Sequence, residues 1–230
     1  SDAKICVIPD CGMSPGVGNI LLGHAVSKLD EVESVRNLNG GLPQKPIPPL
    51  DYVITWSLKD LIELYTRKAN IVRDGKIVQV GAMSGLEEIV FPSVGKLEAF
   101  YTDGLRTLLH TIKVTKEMWE KSLRYPDHTR KIKLLKTLGF FDEKPIKVEG
   151  TSVCPREVTE KLLEGKLKRP EIPDIVIMRV EVSGLKDGKK VMYTYNMLDR
   201  YDKKRKVTAL ARTTAYTTSV IAQLLAKKAI

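Results

Sequence analysis

The stretch Ile175-Val176-Ile177-Met178-Arg179-Val180-Glu181-Val182, followed by Asp187-Gly188 and then Val191-Met192-Tyr193-Thr194-Tyr195, decides the fold class. Two β-rich runs joined across Asp-Gly read as a hairpin, because that dipeptide accepts the positive φ angles of a tight turn. The first arm begins as a continuous apolar run and ends alternating, as a central strand does on leaving a core. A second hairpin is predicted over residues 70–80, around Asp74-Gly75. Further strands are predicted at 5–8, 33–38, 52–55 and 116–125. In the last, Trp119, Lys121, Leu123 and Tyr125 alternate with polar neighbours.

Helices fall between these strands without regular alternation. One follows a glycine-rich turn and carries Ile20, Leu21, Leu22, Ala25, Val26 and Leu29. Another opens at Leu58 behind a Ser57 cap, with Asp60 in the capping-box position and Leu58, Leu61, Ile62 and Tyr65 on one face. Helices are also predicted at 104–111, 129–138 and 155–164. Asp127 serves as cap and Gly139 as stop for the second of these, and Pro155 sits in the first turn of the third. A last helix at 219–228 would bury Val220, Leu224 and Leu225 and place two lysines at its C-terminus, where they suit the helix dipole. Residues 39–49, rich in Gly and Pro, read as a long loop. The order favours an α+β domain: a mostly antiparallel or mixed sheet with helices on one face. With no repeat, low-complexity tract or linker, the 230 residues read as one domain.

The turn Pro9-Asp10-Cys11-Gly12-Met13-Ser14-Pro15-Gly16-Val17-Gly18-Asn19 resembles a phosphate loop, since a strand-to-helix turn offers free N–H groups. Gly16-Val17-Gly18 supplies two glycines of a dinucleotide fingerprint, but Leu21 stands where the third would let helix and strand pack closely. A first strand opening a chain that lacks an initiator Met points to a segment upstream.

The formal charge of +10 makes nucleic acid a partner to test. The charge is scattered, however. The densest run, Lys203-Lys204-Arg205-Lys206, has no interleaved aromatics to stack on bases, and it reads as a solvated turn. No apolar run reaches the roughly 18 residues of a membrane span. Cys6, Cys11 and Cys154 have no zinc spacing and fit a reducing cytoplasm.

Polar residues of interest gather at element ends: Tyr101, Asp103 and Arg106; Arg124, Tyr125, Asp127 and His128; Thr213; Trp56 and Ser57. On one sheet edge they would form a pocket for a carboxylate, which arginine forks suit. Each has a plainer reading. Asp103 and Asp127 read equally as helix caps, Arg106 and Arg124 as exposed charges, and His128 as a turn residue. No covalent-catalysis signature is present.

Taken in order, Asp10–Gly16, Trp56-Ser57, Arg73-Asp74-Gly75-Lys76, Phe100–Arg106, Leu123–His128, Leu138-Gly139-Phe140 and Ala211–Thr214 resemble the saccharopine dehydrogenase family, in its lysine 6-dehydrogenase-like branch. The resemblance implies a substrate-binding and dimerisation domain that follows a Rossmann domain binding NAD or NADP. The first 30 residues and the last helix would lie at that junction. The implied reaction moves a hydride between nicotinamide and a carbon bonded to nitrogen in lysine or saccharopine, so the protein's task is positioning. Asp10, Gly12, Pro15 and Gly16 would face the nicotinamide. Tyr101, Arg106, Arg124, Tyr125 and Thr213 would bind substrate, with Arg124 as carboxylate clamp, and Asp103 or His128 would accept a proton. The resemblance implies a homodimer without nucleic-acid or membrane partners. Two readings compete with it: a nucleic-acid-binding protein, and a purely structural dimerisation module.

Overall fold

The computed structural model describes residues 5–230. The order is α1 (Val17–Val26), β1 (Glu31–Pro43), α2 (Leu58–Thr66), β2 (Ala69–Arg73), β3 (Lys76–Val80), β4 (Glu87–Phe91), β5 (Gly95–Tyr101), α3 (Leu108–Thr111), β6 (Glu117–Arg124), α4 (His128–Thr137), β7 (Ile146–Val148), β8 (Thr151–Val153), α5 (Pro155–Leu167), β9 (Asp174–Lys186), β10 (Lys189–Arg200) and α6 (Ala209–Ala226). The protein is α+β, as expected.

Eight strands form one mixed sheet in the order β10-β9-β1-β6-β2-β3. Strand β5 joins β6 beyond the end of β2, and β4 joins β5. Among the strands of the described residues, only β1 and β6 run parallel, pairing from Ser34↔Glu117 to Asn39↔Ser122. Both Asp-Gly hairpins form, as β2–β3 and β9–β10. Because successive strand residues face opposite ways, the register puts Val35, Asn37, Asn39 and Gly41 of β1 on one face. With them lie Met118, Glu120, Ser122 and Arg124 of β6, and Val176, Met178, Val180 and Val182 of β9. Helices α1 and α6 pack on this face: a Cβ at Gly18 would touch Asn37 and Met178, and one at Gly41 would touch Leu210. Asp174 pins the start of α6 by accepting from the N–H groups of Ala209 and Leu210.

Several expectations are corrected. Residues 5–8 form no strand, and Ile5 and Val7 are 68% and 74% exposed, so an apolar run alone did not secure a pairing partner. The predicted loop from residue 39 is strand as far as Pro43. Gly40 is there because a side chain would collide with the Leu123 backbone beside it. Residues 52–55 are extended but outside any strand, although Tyr52, Val53 and Ile54 are buried. The helix expected at 104–111 is only α3, since Arg106 has φ 49° and breaks it. The Asp127 side chain makes no cap; it pairs with Arg130, while Glu98 takes the Thr129 N–H.

The last helix begins ten residues before the predicted start, capped by Thr208. Its threonines obscured it: Thr213, Thr217 and Thr218 each bond back to a carbonyl one turn earlier, so β-branched residues sit in a helix. Val220 and Leu224 are exposed rather than buried, and Leu225 is half-buried. Among the described residues no helix is long and apolar enough to cross a membrane. The basic run at 203–206 is a turn closed by Asp202, which accepts from the N–H groups of Lys204 and Arg205.

Candidate functional site: a cleft between two buried charges

The face that carries α1 and α6 opens into a cleft with two lobes of about 380 and 440 Å3. Ser14, Pro15, Trp56, Leu64 and Glu120 line both lobes. Strand β6 forms the floor, with Glu120, Ser122 and Arg124 in alternate positions.

Glu120 is 5% exposed and enters no ion pair among the described residues. Ser14 Oγ donates to its Oε2 at 2.9 Å and Asn37 Nδ2 donates to the same oxygen at 2.9 Å; Thr102 Oγ1 donates to Oε1 at 3.4 Å. The loop after β5 comes so close that any side chain at Gly104 would overlap the carboxylate. Burial pushes the Glu120 carboxyl up to about 7, against the opposing pull of these donors.

Arg124 is 3% exposed. Its guanidinium carbon lies 4.6 Å from the centre of the Tyr52 ring, and Nη1 donates to the Leu123 carbonyl at 2.8 Å. Nε finds no hydrogen-bond partner, and among the described residues no carboxylate comes within salt-bridge distance, although Glu98 stands opposite on β5 and its charge favours the guanidinium. Tyr52 is fixed in turn by Trp56, whose Nε1 donates to its hydroxyl at 2.9 Å.

The residues singled out from sequence divide three ways. Arg124, Gly12 and Pro15 line the cleft, and Asp103 and Arg106 line the outer end of the smaller lobe. Asp103 accepts from both nitrogens of Asn70. His128, Tyr125 and Thr213 stand behind it. His128 Nδ1 lies 2.7 Å from the Leu50 carbonyl, which can only accept, so Nδ1 carries the proton and Nε2 accepts from the Tyr65 hydroxyl at 2.8 Å. Burial, then the Arg124 charge, pushes His128 down to about 3. Tyr125 donates to the Pro43 carbonyl and Thr213 to its own helix, whereas the neighbouring Thr214 reaches the cleft. Tyr101 lies on the opposite face of the sheet, its ring against Trp119 and beneath the Lys121 ammonium.

Asp10 sits just outside, with φ 60°, and Gly16 closes the turn, where a Cβ would overlap the Gly12 carbonyl. That turn spends its own donors: Val17 N–H goes to Gly12, Gly18 N–H to Met13 and Gly16 N–H to Asn19. It therefore has no phosphate cradle. The larger lobe is lined instead by Gly12, Gly40 and Gly41, beside Tyr52, Trp56 and Leu210. Among the described residues no group of three or more His, Cys, Asp or Glu side chains could hold a metal.

Sequence reading missed Glu120, Asn37 and Asn39. The only signal was that the polar partners of Trp119 and Leu123 occupy alternate positions in β6.

The mixed sheet thus carries, under its helices, a polar cleft with Glu120 and Arg124 on its floor. The chain belongs to the saccharopine dehydrogenase C-terminal domain family, whose model matches residues 12–230. In structure it is similar to saccharopine dehydrogenase (L-Glu forming) from Saccharomyces cerevisiae, at TM-score 0.76 and 16% identity, covering 95% of this chain and 65% of that one. It is also similar to homospermidine synthase from Legionella pneumophila, solved with NAD, at TM-score 0.50 and 15% identity, covering 96% and 50%. The chain thus spans between half and two thirds of the length of these two proteins. At such identities the likeness is one of fold.

Proposed function

We propose that this chain is the substrate-binding domain of an NAD- or NADP-dependent oxidoreductase acting on a C–N bond of lysine or saccharopine. One observation carries the reading: two buried, unpaired charges of opposite sign face one cleft. A buried charge without a partner is costly. Arg124 and Glu120 therefore call for a ligand that supplies a carboxylate to one and a nitrogen to the other. They stand four residues apart on one strand, roughly 13 Å between Cα atoms. A short α-amino acid, with its two groups adjacent, bridges such a span poorly; lysine and saccharopine carry a carboxylate several bonds from the reacting nitrogen.

On this reading a Rossmann domain outside these residues holds the cofactor phosphates, and the nicotinamide meets the Gly12–Gly41 wall. There the cofactor would supply hydride chemistry. The exposed Ile20, Tyr216 and Val220 are the surface such a domain would cover. Free cysteines fit action in the cytoplasm, and the reading includes a homodimer.

In the full-length enzyme, Arg124→Gln should raise KM for the amino acid about tenfold or more and change kcat less, while Arg124→Lys, which keeps the charge, loses less. Unchanged KM in a folded Arg124→Gln enzyme contradicts the assignment.

A further inference from the structure

Neither His128 nor Asp103 is free to accept a proton in the cleft. His128 has no free lone pair, because Tyr65 occupies Nε2 and the proton sits on Nδ1. Asp103 holds Asn70 at the outer end of the cleft. Glu120, in contrast, lines both lobes and is fixed from three sides by Ser14, Asn37 and Thr102. All three of these bonds are donated to the carboxylate, so the form they hold in place is the proton-accepting one. A strand floor and three donors fix its position, as a group acting on a bound nitrogen requires.

We propose that Glu120 accepts the proton of the substrate amine. This rests on the dehydrogenase reading above. In the direction of oxidation, the N–H bond of the bound ammonium breaks and its proton passes to a Glu120 oxygen, leaving a neutral amine with a lone pair. The C–H bonding pair then leaves as hydride to an oxidised nicotinamide, and the nitrogen lone pair forms the C=N bond. The substrate carbon loses two electrons, the nicotinamide gains them, and the product is an iminium ion open to water. In reverse, Glu120 returns the proton.

Other charged groups face Glu120 across the smaller lobe. They are Asp60, Glu63 and Arg67 of α2, and Asp103 and Arg106 of the loop after β5; Arg124 follows on its own strand. Glu63 is committed to Arg156 and Arg67, and Arg106 is exposed. None of them is hydrogen-bonded to Glu120, so its titration is governed by burial, which raises it, against the side-chain donors Ser14, Asn39, Thr102 and Asn37.

The test is Glu120→Gln in the full-length enzyme, which keeps the size and most hydrogen bonds of the side chain. The expected result is a kcat about 100-fold or more lower with KM changed little. The kcat–pH profile should lose an acidic limb centred near 7. A second readout needs neither cofactor nor turnover: carbon-13 spectra of glutamate carboxyls should show one group titrating near 7 in the wild type and absent from the variant. Retained kcat with the limb intact, or no carboxyl titrating near 7, overturns the proposal. A wild-type enzyme that turns over neither lysine nor saccharopine with a nicotinamide cofactor overturns the dehydrogenase reading itself.

Discussion

Glu120 and His128 are shifted in opposite directions by the same burial, and the two shifts bend stability in opposite senses. Glu120 rises from 4.5 to about 7. Between those values the folded protein keeps a proton that the unfolded chain releases. Stability therefore falls as pH rises through this window, by roughly 3 kcal/mol in full. His128 falls from 6.5 to about 3. Here the unfolded chain takes up a proton that the folded protein refuses, so stability is lost as pH drops from 6.5 towards 3. Urea unfolding should show Glu120→Gln more stable than wild type at pH 8 and nearly equal to it at pH 4.5, the variant losing stability on acidification through His128 and the wild type changing little because its two shifts oppose one another. A gain of the same size at both values contradicts the assigned titration. Neither residue was legible as such in the sequence. His128 beside Pro126 looked like a loop histidine open to a pocket, because nothing local announces Tyr65 or the Leu50 carbonyl. Glu120 looked like the wet side of a half-buried strand. Alternation gives two faces, but it does not say that both are covered.

Helix α1 and the turn before it show how much depends on a single backbone position. Gly16 has φ 142° and a Cβ there would overlap the Gly12 backbone, so Gly16→Ala forces the turn open and should cost roughly 3 kcal/mol or more. Gly23, exposed inside the same helix with open space around it, should behave in the opposite way. Gly23→Ala should stabilise by about 0.5–1 kcal/mol, the helix propensity difference. Chemical denaturation of the two variants checks both signs, and two losses of similar size would contradict the account. The hairpins were legible because Asp-Gly turns are decided by neighbouring residues. Strand β1 was cut short in the reading because Gly40-Gly41 looks like a turn, whereas here glycine lets β1 lie close to Leu123 and leaves room for Leu210. The start of α6 was hidden because its anchor, Asp174, is distant in sequence.

At the scale of the molecule, the sheet gathers on one face what the chain keeps far apart. The turn at Ser14, the aromatic pair Tyr52 and Trp56, and β6 meet across the cleft through the parallel pairing of β1 with β6. Folding thus brings two unpaired charges to one cavity, a cost retained where a ligand completes it. The most direct measurement is calorimetric binding of lysine and of its carboxamide, which lacks only the carboxylate charge, to the full-length enzyme and to Arg124→Gln. The account predicts that removing the carboxylate weakens binding to the wild type about tenfold or more and hardly changes binding to the variant, since its partner is already gone. An equal loss in both enzymes would contradict the claim that Arg124 holds the substrate carboxylate.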